Sequence, residues 1–172
     1  MEQSVVLTTE RLILREFELA DSEALMQVLG DPVAMQYYPA PFPRREVDEW
    51  IWRNRARYRD SGFGIWAMAL HGSGELIGDC GCFVRDLEGD YECEMGWHVR
   101  RDLWNRGYAT EAARHCIEYA FWKLGMPRII AMVRPENLSS CRVAEKNGMN
   151  CDRAIFWRGY DHCVYVKNRA EP

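Results

Sequence analysis

The sequence predicts a mixed α+β fold, helices packed on a sheet, and three observations carry that prediction. First, apolar or small residues fall at Ala109, Ala112, Ala113, Cys116, Ile117, Ala120, Phe121 and Leu124, the i, i+3, i+4, i+7 pattern of an amphipathic helix resting on something flat. Second, that helix lies between the strand-like stretches "YECEMGWHV" and "RIIAMV", giving strand, tight turn, helix, strand: a βαβ unit with a right-handed crossover. Third, "GIWAMALH", "ELIGDCGCFV" and "YECEMGWHV" follow one another across the turn-prone "GSG" and "DLEGD", so consecutive antiparallel pairing is expected.

The remaining elements follow in chain order. "VVLTTERLILREF" reads as a first strand or strand pair, with Leu12 and Leu14 alternating against charged residues. "LADSEALMQVLGD" reads as a helix with Asp21 as its N-cap and Gly30-Asp31-Pro32 as its stop. "VAMQYYPAPFP", rich in proline and aromatics, is expected to be an ordered loop leading into a helix that carries Val47, Trp50, Ile51 and Tyr58 on one side. The central helix closes at Gly125 with Pro127 beyond. "NLSSCRVAEKNG" is a short helix with Asn137 as N-cap and Gly148 past its end, and "CDRAIFW" and "HCVYVK" form a terminal hairpin around Arg158-Gly159-Tyr160-Asp161.

A chain of 172 residues, 48% hydrophobic and 28% charged, is expected to form one domain over 1–172 with a sizeable core. The start, "MEQSVVLTTERLILREF", has no basic region ahead of an apolar core, and no stretch reaches the ~18 uninterrupted apolar residues of a membrane span. A cytoplasmic protein with no membrane partner is expected. Seven scattered cysteines suit free or buried thiols better than a disulfide framework. Cys80-Gly81-Cys82 has no partner CxxC or CxxH, so it is read as structural, and no metal site is expected. A net charge of −4 gives no general attraction to nucleic acid. Arg53, Arg55, Arg57 and Arg59 recur at every second position, which on a helix winds round the axis instead of forming one basic stripe.

The turn Arg106-Gly107-Tyr108-Ala109 stands directly before the central helix. The first turn of a helix presents unpaired N–H groups and the positive end of the dipole, so a glycine turn there can wrap a phosphate. It can equally be required by conformation alone. Neither GxxxxGK[ST] nor GxGxxG is present, which excludes the two commonest phosphate motifs.

Four segments, in order, resemble the GNAT superfamily of acyl-CoA-dependent N-acetyltransferases, in particular the branch of the ribosomal-protein N-terminal acetyltransferases: "TERLILREF", "EMGWHVRRDLWNRGYATEA", "RPENLSSCRVAEKNGM" and "GYDHCVYVKNR". The family's pyrophosphate loop, Q/R-x-x-G-x-G/A, is matched by Trp104-Asn105-Arg106-Gly107-Tyr108-Ala109, with Trp104 departing at the first position as in the branch's usual "WGKGYATEA". The family's N-x-x-S-x-x-V-x-E-K-x-G-F is matched by Asn137, Ser140, Val143, Glu145, Lys146 and Gly148, with Met149 in place of phenylalanine. The resemblance implies a mixed, mostly antiparallel sheet with a splayed central strand pair and flanking helices. It also implies that acetyl-CoA is the co-substrate. Trp97, His98 and Val99 would lie along its pantetheine arm by β-augmentation, and the turn from Trp104 to Ala109 with Thr110 would hold its pyrophosphate. Asn137 would hold the pantetheine arm or only the start of its helix, and Ser140 would reach the sulfur.

Acetyl transfer to an amine needs a base, because an α-amino group titrates near ~8 and a lysine near ~10.4. The family's "EIGY" strand appears as Glu94-Met95-Gly96-Trp97, which points to Glu94. Glu92 lies on the same strand face, where two carboxylates could raise one another's pKa, and both could equally be exposed charges that order water. His98 competes by intrinsic pKa, and alternation predicts that only one of Trp97 and His98 points into the site. A main-chain N–H near Trp97 or His98 would hold the oxyanion. The tyrosine that many relatives use as acid is Ala144 here, and the resemblance implies Ser140 as the branch's substitute. Cys141 could also reach the sulfur, but it falls on a small apolar stripe with Leu138 and Ala144 that suits a buried thiol, so Ser140 is the expected donor. Tyr37, Tyr38 and Phe42 of the proline-rich loop, with Glu92, are expected to enclose the acceptor. The acceptor is read as a protein N-terminus or a small amine, and the assembly as monomer or homodimer. A non-catalytic acyl-CoA-binding module on the same fold is the alternative that the missing tyrosine leaves open.

Overall fold

The computed structural model describes residues 4–170; residues 1–3 and 171–172 of the expected domain, including the first residues of the amino-terminal stretch, lie outside the described residues. The strands are β1 (Val5–Thr8), β2 (Leu12–Arg15), β3 (Ile65–Leu70), β4 (Leu76–Leu87), β5 (Asp90–Val99), β6 (Arg128–Val133), β7 (Asn150–Trp157) and β8 (Tyr160–Asn168). The helices are α1 (Ser22–Leu29), α2 (Arg44–Ser61), α3 (Tyr108–Trp122) and α4 (Leu138–Lys146). All eight strands form one sheet in the order β1-β2-β3-β4-β5-β6-β8-β7, and every neighbouring pair except β5 and β6 is antiparallel. The expected hairpin of β7 and β8 forms, but β8 enters beside β6 and pushes β7 to the edge.

β5 and β6 are joined by α3 and run parallel, in register at one point, Glu94 opposite Ile130. Past it the strands part, so β5 from Met95 to Val99 keeps β4 on one side and meets no registered strand on the other. This is the splay that the resemblance implies, and it opens at the carboxyl ends of both strands, where open α/β sheets hold their ligands.

The sheet separates two layers. Asp79, Gly81, Phe83 and Arg85 of β4 stand opposite His98, Gly96, Glu94 and Glu92 of β5, and α2 lies over this face through Trp50 on Asp79 and Arg57 on Phe83. The other face carries Cys80 and Cys82, both fully buried, under α3, whose Ala112, Ala113, Cys116, Ile117, Ala120 and Phe121 face inward. Small side chains let α3 approach the sheet closely, and Tyr119 completes the contact edge-on against Trp66 at 5.3 Å. The Cys80-Gly81-Cys82 thiols are thus packing groups. No helix of the described residues is long and apolar enough to cross a membrane.

Two expectations are corrected. Cys151 and Cys163 form a disulfide, their Cα atoms 5.9 Å apart, while the other five cysteines are free and buried. Cys151 stands opposite Tyr165, two residues from Cys163 on the same face, so the pair are diagonal neighbours, a relation that the sequence spacing does not display. Asp21 does precede α1, but its side chain caps nothing there. Its carboxylate instead accepts two bonds from Arg15, at 2.7 and 2.8 Å, and one from the Glu18 amide at 2.7 Å.

That ion pair is buried, with Arg15 4% and Asp21 8% exposed. The hydrogen bonds that Arg15 donates to Asp21 hold the guanidinium above its ordinary pKa in spite of desolvation. Removing one partner of such a pair strands the other charge. Asp21→Ala is expected to lower unfolding free energy by about 3–5 kcal/mol, read as a shift of the urea midpoint at constant m-value. A shift under about 0.5 kcal/mol, the size of an ordinary surface substitution, would show the pair to be dispensable.

Candidate active site

The gap between β5 and β6 opens into a cleft of about 310 Å³. Its first wall is the free edge of β5. Trp97, His98 and Val99 all border the cleft, which corrects the expectation that alternation admits one of Trp97 and His98. Alternation sorts side chains between the faces of a sheet, whereas an unpaired edge exposes the main chain and the flanks of both faces.

The floor is the turn before α3. Trp104 donates its indole N–H to the Val99 carbonyl at 2.7 Å, folding the turn back on the strand it leaves. Asn105 and Gly107 take left-handed φ of 61° and 83°, a conformation that costs a residue with a β-carbon and costs glycine nothing. Gly107 is the N-cap of α3, so the free amides of the first turn face the cleft beside Tyr108, Ala109 and Thr110. Arg106 does not border the cleft. Its carbonyl accepts from Arg11 at 2.9 Å, and its side chain is exposed.

Arg11 ties this turn to the β1–β2 connection. Its guanidinium meets the Glu111 carboxylate at 2.6 Å, its amide donates to the same group at 3.0 Å, and Thr9 adds a hydroxyl bond at 2.6 Å. Arg11 also stacks over Tyr108 at 4.6 Å. Burial pushes the Glu111 carboxyl up, but the bonds from Thr9 and Arg11 outweigh it and leave the pKa below the ordinary value.

The second wall is the start of α4. The Asn137 side chain accepts from the Ser140 amide at 3.2 Å as the predicted N-cap, and both residues border the cleft. Cys141 turns away, 9% exposed. Ser139, Arg142, Val143 and Lys146 also line the cleft. They were missed, although their i, i+3, i+4, i+7 spacing marks one helix face and carries two cations.

The roof is the proline-rich loop, whose Tyr37 and Tyr38 border the cleft. The Tyr37 carbonyl accepts from Arg134 at 3.3 Å. The Tyr38 hydroxyl lies 2.7 Å from His98 Nε2, His98 Nδ1 lies 2.7 Å from Asp79 Oδ1, and Asp79 Oδ2 accepts the Trp50 indole N–H at 2.9 Å. Asp79 and Trp50 carried no sequence signal, since they come from separate elements. Phe42 stands behind the roof, 6.4 Å from Tyr38 and 6.2 Å from Trp50 ring to ring, and does not line the cleft.

The two glutamates lie elsewhere. Glu94 is 9% exposed and ion-paired with Arg85, and Glu92 meets Arg128 at 3.2 Å. Neither borders the cleft. They share a strand face as predicted, but each faces its own arginine. Glu94 is also four residues from His98, ~13 Å along the strand.

The comparisons agree with this geometry. The family model described as Acetyltransferase (GNAT) domain matches residues 11–150. The uncharacterized protein YkkB of Bacillus subtilis (strain 168) is 34% identical over 156 residues, 90% of this chain and 91% of its own. The uncharacterized N-acetyltransferase YnaD of the same organism is 33% identical over 144 residues, 83% of this chain and 81% of its own. The crystal structure of a GNAT-family acetyltransferase from Bacillus anthracis superposes with a TM-score of 0.80 at 30% identity, covering 94% of this chain and 97% of that one. A splayed parallel pair, a left-handed glycine turn at the head of α3 and a family match across both make the chain a member of the GNAT acetyltransferases, enzymes whose co-substrate is acetyl-CoA.

Proposed function

We propose that this enzyme transfers the acetyl group to a primary amine, on a small molecule or a protein N-terminus, by direct attack on the thioester. The observation that carries the reading is the free edge of β5 running from the glycine turn to His98. An extended pantetheine arm can complete the sheet there, with main-chain groups as its partners. The pyrophosphate would rest on the first-turn amides of α3, beside the cations of Arg142 and Lys146. The thioester then reaches Trp97 and His98, where a main-chain N–H can stabilise the oxyanion.

Across the cleft, α4 brings the hydroxyls of Ser139 and Ser140 to the wall opposite β5, and Ser140, the position that matches the family motif, is taken as the donor. When the amine nitrogen bonds to the carbonyl carbon and the C–S bond breaks, the sulfur leaves as thiolate, and Ser140 passes it a proton drawn from solvent. The alternative of a non-catalytic module rests on Ala144, which is fully buried. Ser140 supplies a donor that this alanine cannot.

The deciding experiment is a thiol-release assay with acetyl-CoA against small amines and amino-terminal peptides. Release that depends on one class of acceptor is expected, and tight CoA binding with no release on any acceptor would support the binding module instead. Ser140→Ala is expected to lower kcat about 10²-fold with little change in acetyl-CoA affinity, and unchanged kcat would leave the thiolate to solvent. Gly107→Val is expected to weaken acetyl-CoA binding roughly tenfold or more in a folded protein, because a β-branched residue resists φ of 83° and blocks the approach of a phosphate. Calorimetry returning wild-type affinity would remove the turn from the cofactor site.

A further inference from the structure

An acetyl acceptor arrives as an ammonium ion and must lose a proton, and the family-like candidate for that task, Glu94, is engaged by Arg85 away from the cleft. We infer that the proton leaves through Tyr38 to His98, with Asp79 as the positioning residue that fixes the tautomer of His98. The inference rests on the transfer proposed above.

The tautomer follows from hydrogen-bond valence. Asp79 is fully buried, and its carboxylate offers acceptors alone. One oxygen is taken by the Trp50 indole N–H, so the other, at 2.7 Å from His98 Nδ1, requires Nδ1 to carry a hydrogen. In neutral imidazole that leaves Nε2 as an acceptor, and Tyr38 Oη at 2.7 Å must donate to it. The free lone pairs of Tyr38 Oη are then its contribution to the cleft. Tyr38 is 40% exposed, but desolvation around its hydroxyl, with the Asp79 charge behind it and Arg85 opposing, holds the phenol above its ordinary pKa, so the hydroxyl keeps its proton at rest.

The step balances. A proton moves from the ammonium to Tyr38 Oη while the Tyr38 proton moves to His98 Nε2, which gives a neutral amine and an imidazolium facing the Asp79 carboxylate. The amine attacks the thioester, the nitrogen of the tetrahedral intermediate gives its second proton to solvent, and the carbonyl re-forms as the C–S bond breaks. The thiolate is protonated on the opposite side and His98 returns its proton to solvent, so that two protons leave the nitrogen, one reaches the sulfur and one is released. The groups that face His98 are Tyr38 from the loop, Asp79 and, farther along the same face of β4, Arg85, with Glu94 along β5. From α2 comes the Trp50 indole at 6.1 Å, with Arg53 stacked over that indole at 5.3 Å. Asp79 is the carboxylate within hydrogen-bonding distance, so a positive charge on the ring is compensated where it forms.

His98→Gln and Tyr38→Phe are expected to lower kcat by about 10²-fold at pH 7 with acetyl-CoA affinity unchanged by calorimetry, the loss shrinking as pH rises and free amine accumulates. Asp79→Asn should lower kcat without moving the acetyl-CoA affinity, because an amide can present N–H to Nδ1 and reverse the tautomer. Nitrogen-15 NMR of the intact protein reads that reversal without turnover: Nδ1–H in the wild type and Nε2–H in Asp79→Asn. Should Asp79→Asn fail to fold, the two cleft variants and the wild-type spectrum decide. Wild-type His98 protonated on Nε2, or His98→Gln within twofold of wild type while Glu94→Gln loses activity, would overturn the relay but leave the transfer intact. A wild type that acetylates no amine would overturn both.

Discussion

The structure depends on one constraint, that β5 and β6 meet at a single residue pair and then part. A sheet interrupted in its middle carries main-chain donors and acceptors that nothing in the sheet satisfies, and such groups are costly unless water or a ligand takes them. The interruption persists because each strand is fixed from its outer side. β4 pairs with β5 along its whole length, from Gly78 at Val99 to Leu87 at Asp90. β8 pairs with β6 from Arg128 to Val133. Neither strand can swing across to close the gap without breaking an intact ladder, so the opening is a property of the folded state, available before any cofactor arrives.

The turn below the gap is also held in advance. Left-handed backbone at Asn105 and Gly107 is a poor conformation to adopt unaided, and three contacts stabilise it: Trp104 to the Val99 carbonyl, Arg11 to the Arg106 carbonyl, and the Thr9–Arg11–Glu111 cluster at the head of α3. Arg11 and Glu111 are one hundred residues apart in sequence, so the amino-terminal strands hold the first-turn amides of α3 in place. Charge-assisted bonds of this length are stronger than neutral ones. The Glu111 side chain is 10% exposed and that of Arg11 41%, so the carboxylate is shielded while the guanidinium stays open to screening by salt.

How much of this was legible depended on whether the signal was local. α3 could be read because its inward face repeats every turn, and the N-cap of Asn137 because capping is decided within three residues. β3, β4 and β5 could be read because turn chemistry separates them. The placement of β8 between β6 and β7 could not, since order in a sheet is a long-range choice. The fate of Asp21 was hidden for a related reason: at the start of a helix a carboxylate has a local role on offer, and a buried arginine six residues back offered a stronger one. The setting of Glu94 was hidden on the same principle. Its position in the strand suggested chemistry, and the arginine that occupies it comes from the neighbouring strand. His98 and Tyr38 could each be singled out in sequence, but their link to each other, to Asp79 and to Trp50 could not, because it exists only in contacts among separate elements.

Strand parity then divides the proposed chemistry in space. His98 stands on the sheet face covered by α2 and the proline-rich loop, and Trp97 and Val99 stand on the face toward α3. A thioester lying along the edge between them has the loop with Tyr38 on one flank and α4 with Ser140 on the other. Loss of a proton by the incoming amine and gain of one by the departing sulfur therefore fall to groups on different elements. The separation matters because the two transfers have opposite requirements: an acceptor with a lone pair held ready, and a donor in contact with solvent protons. A single group serving both would have to change protonation state between attack and departure. With Tyr38 and His98 on one side and Ser140 on the other, each can hold its resting protonation state until its own step.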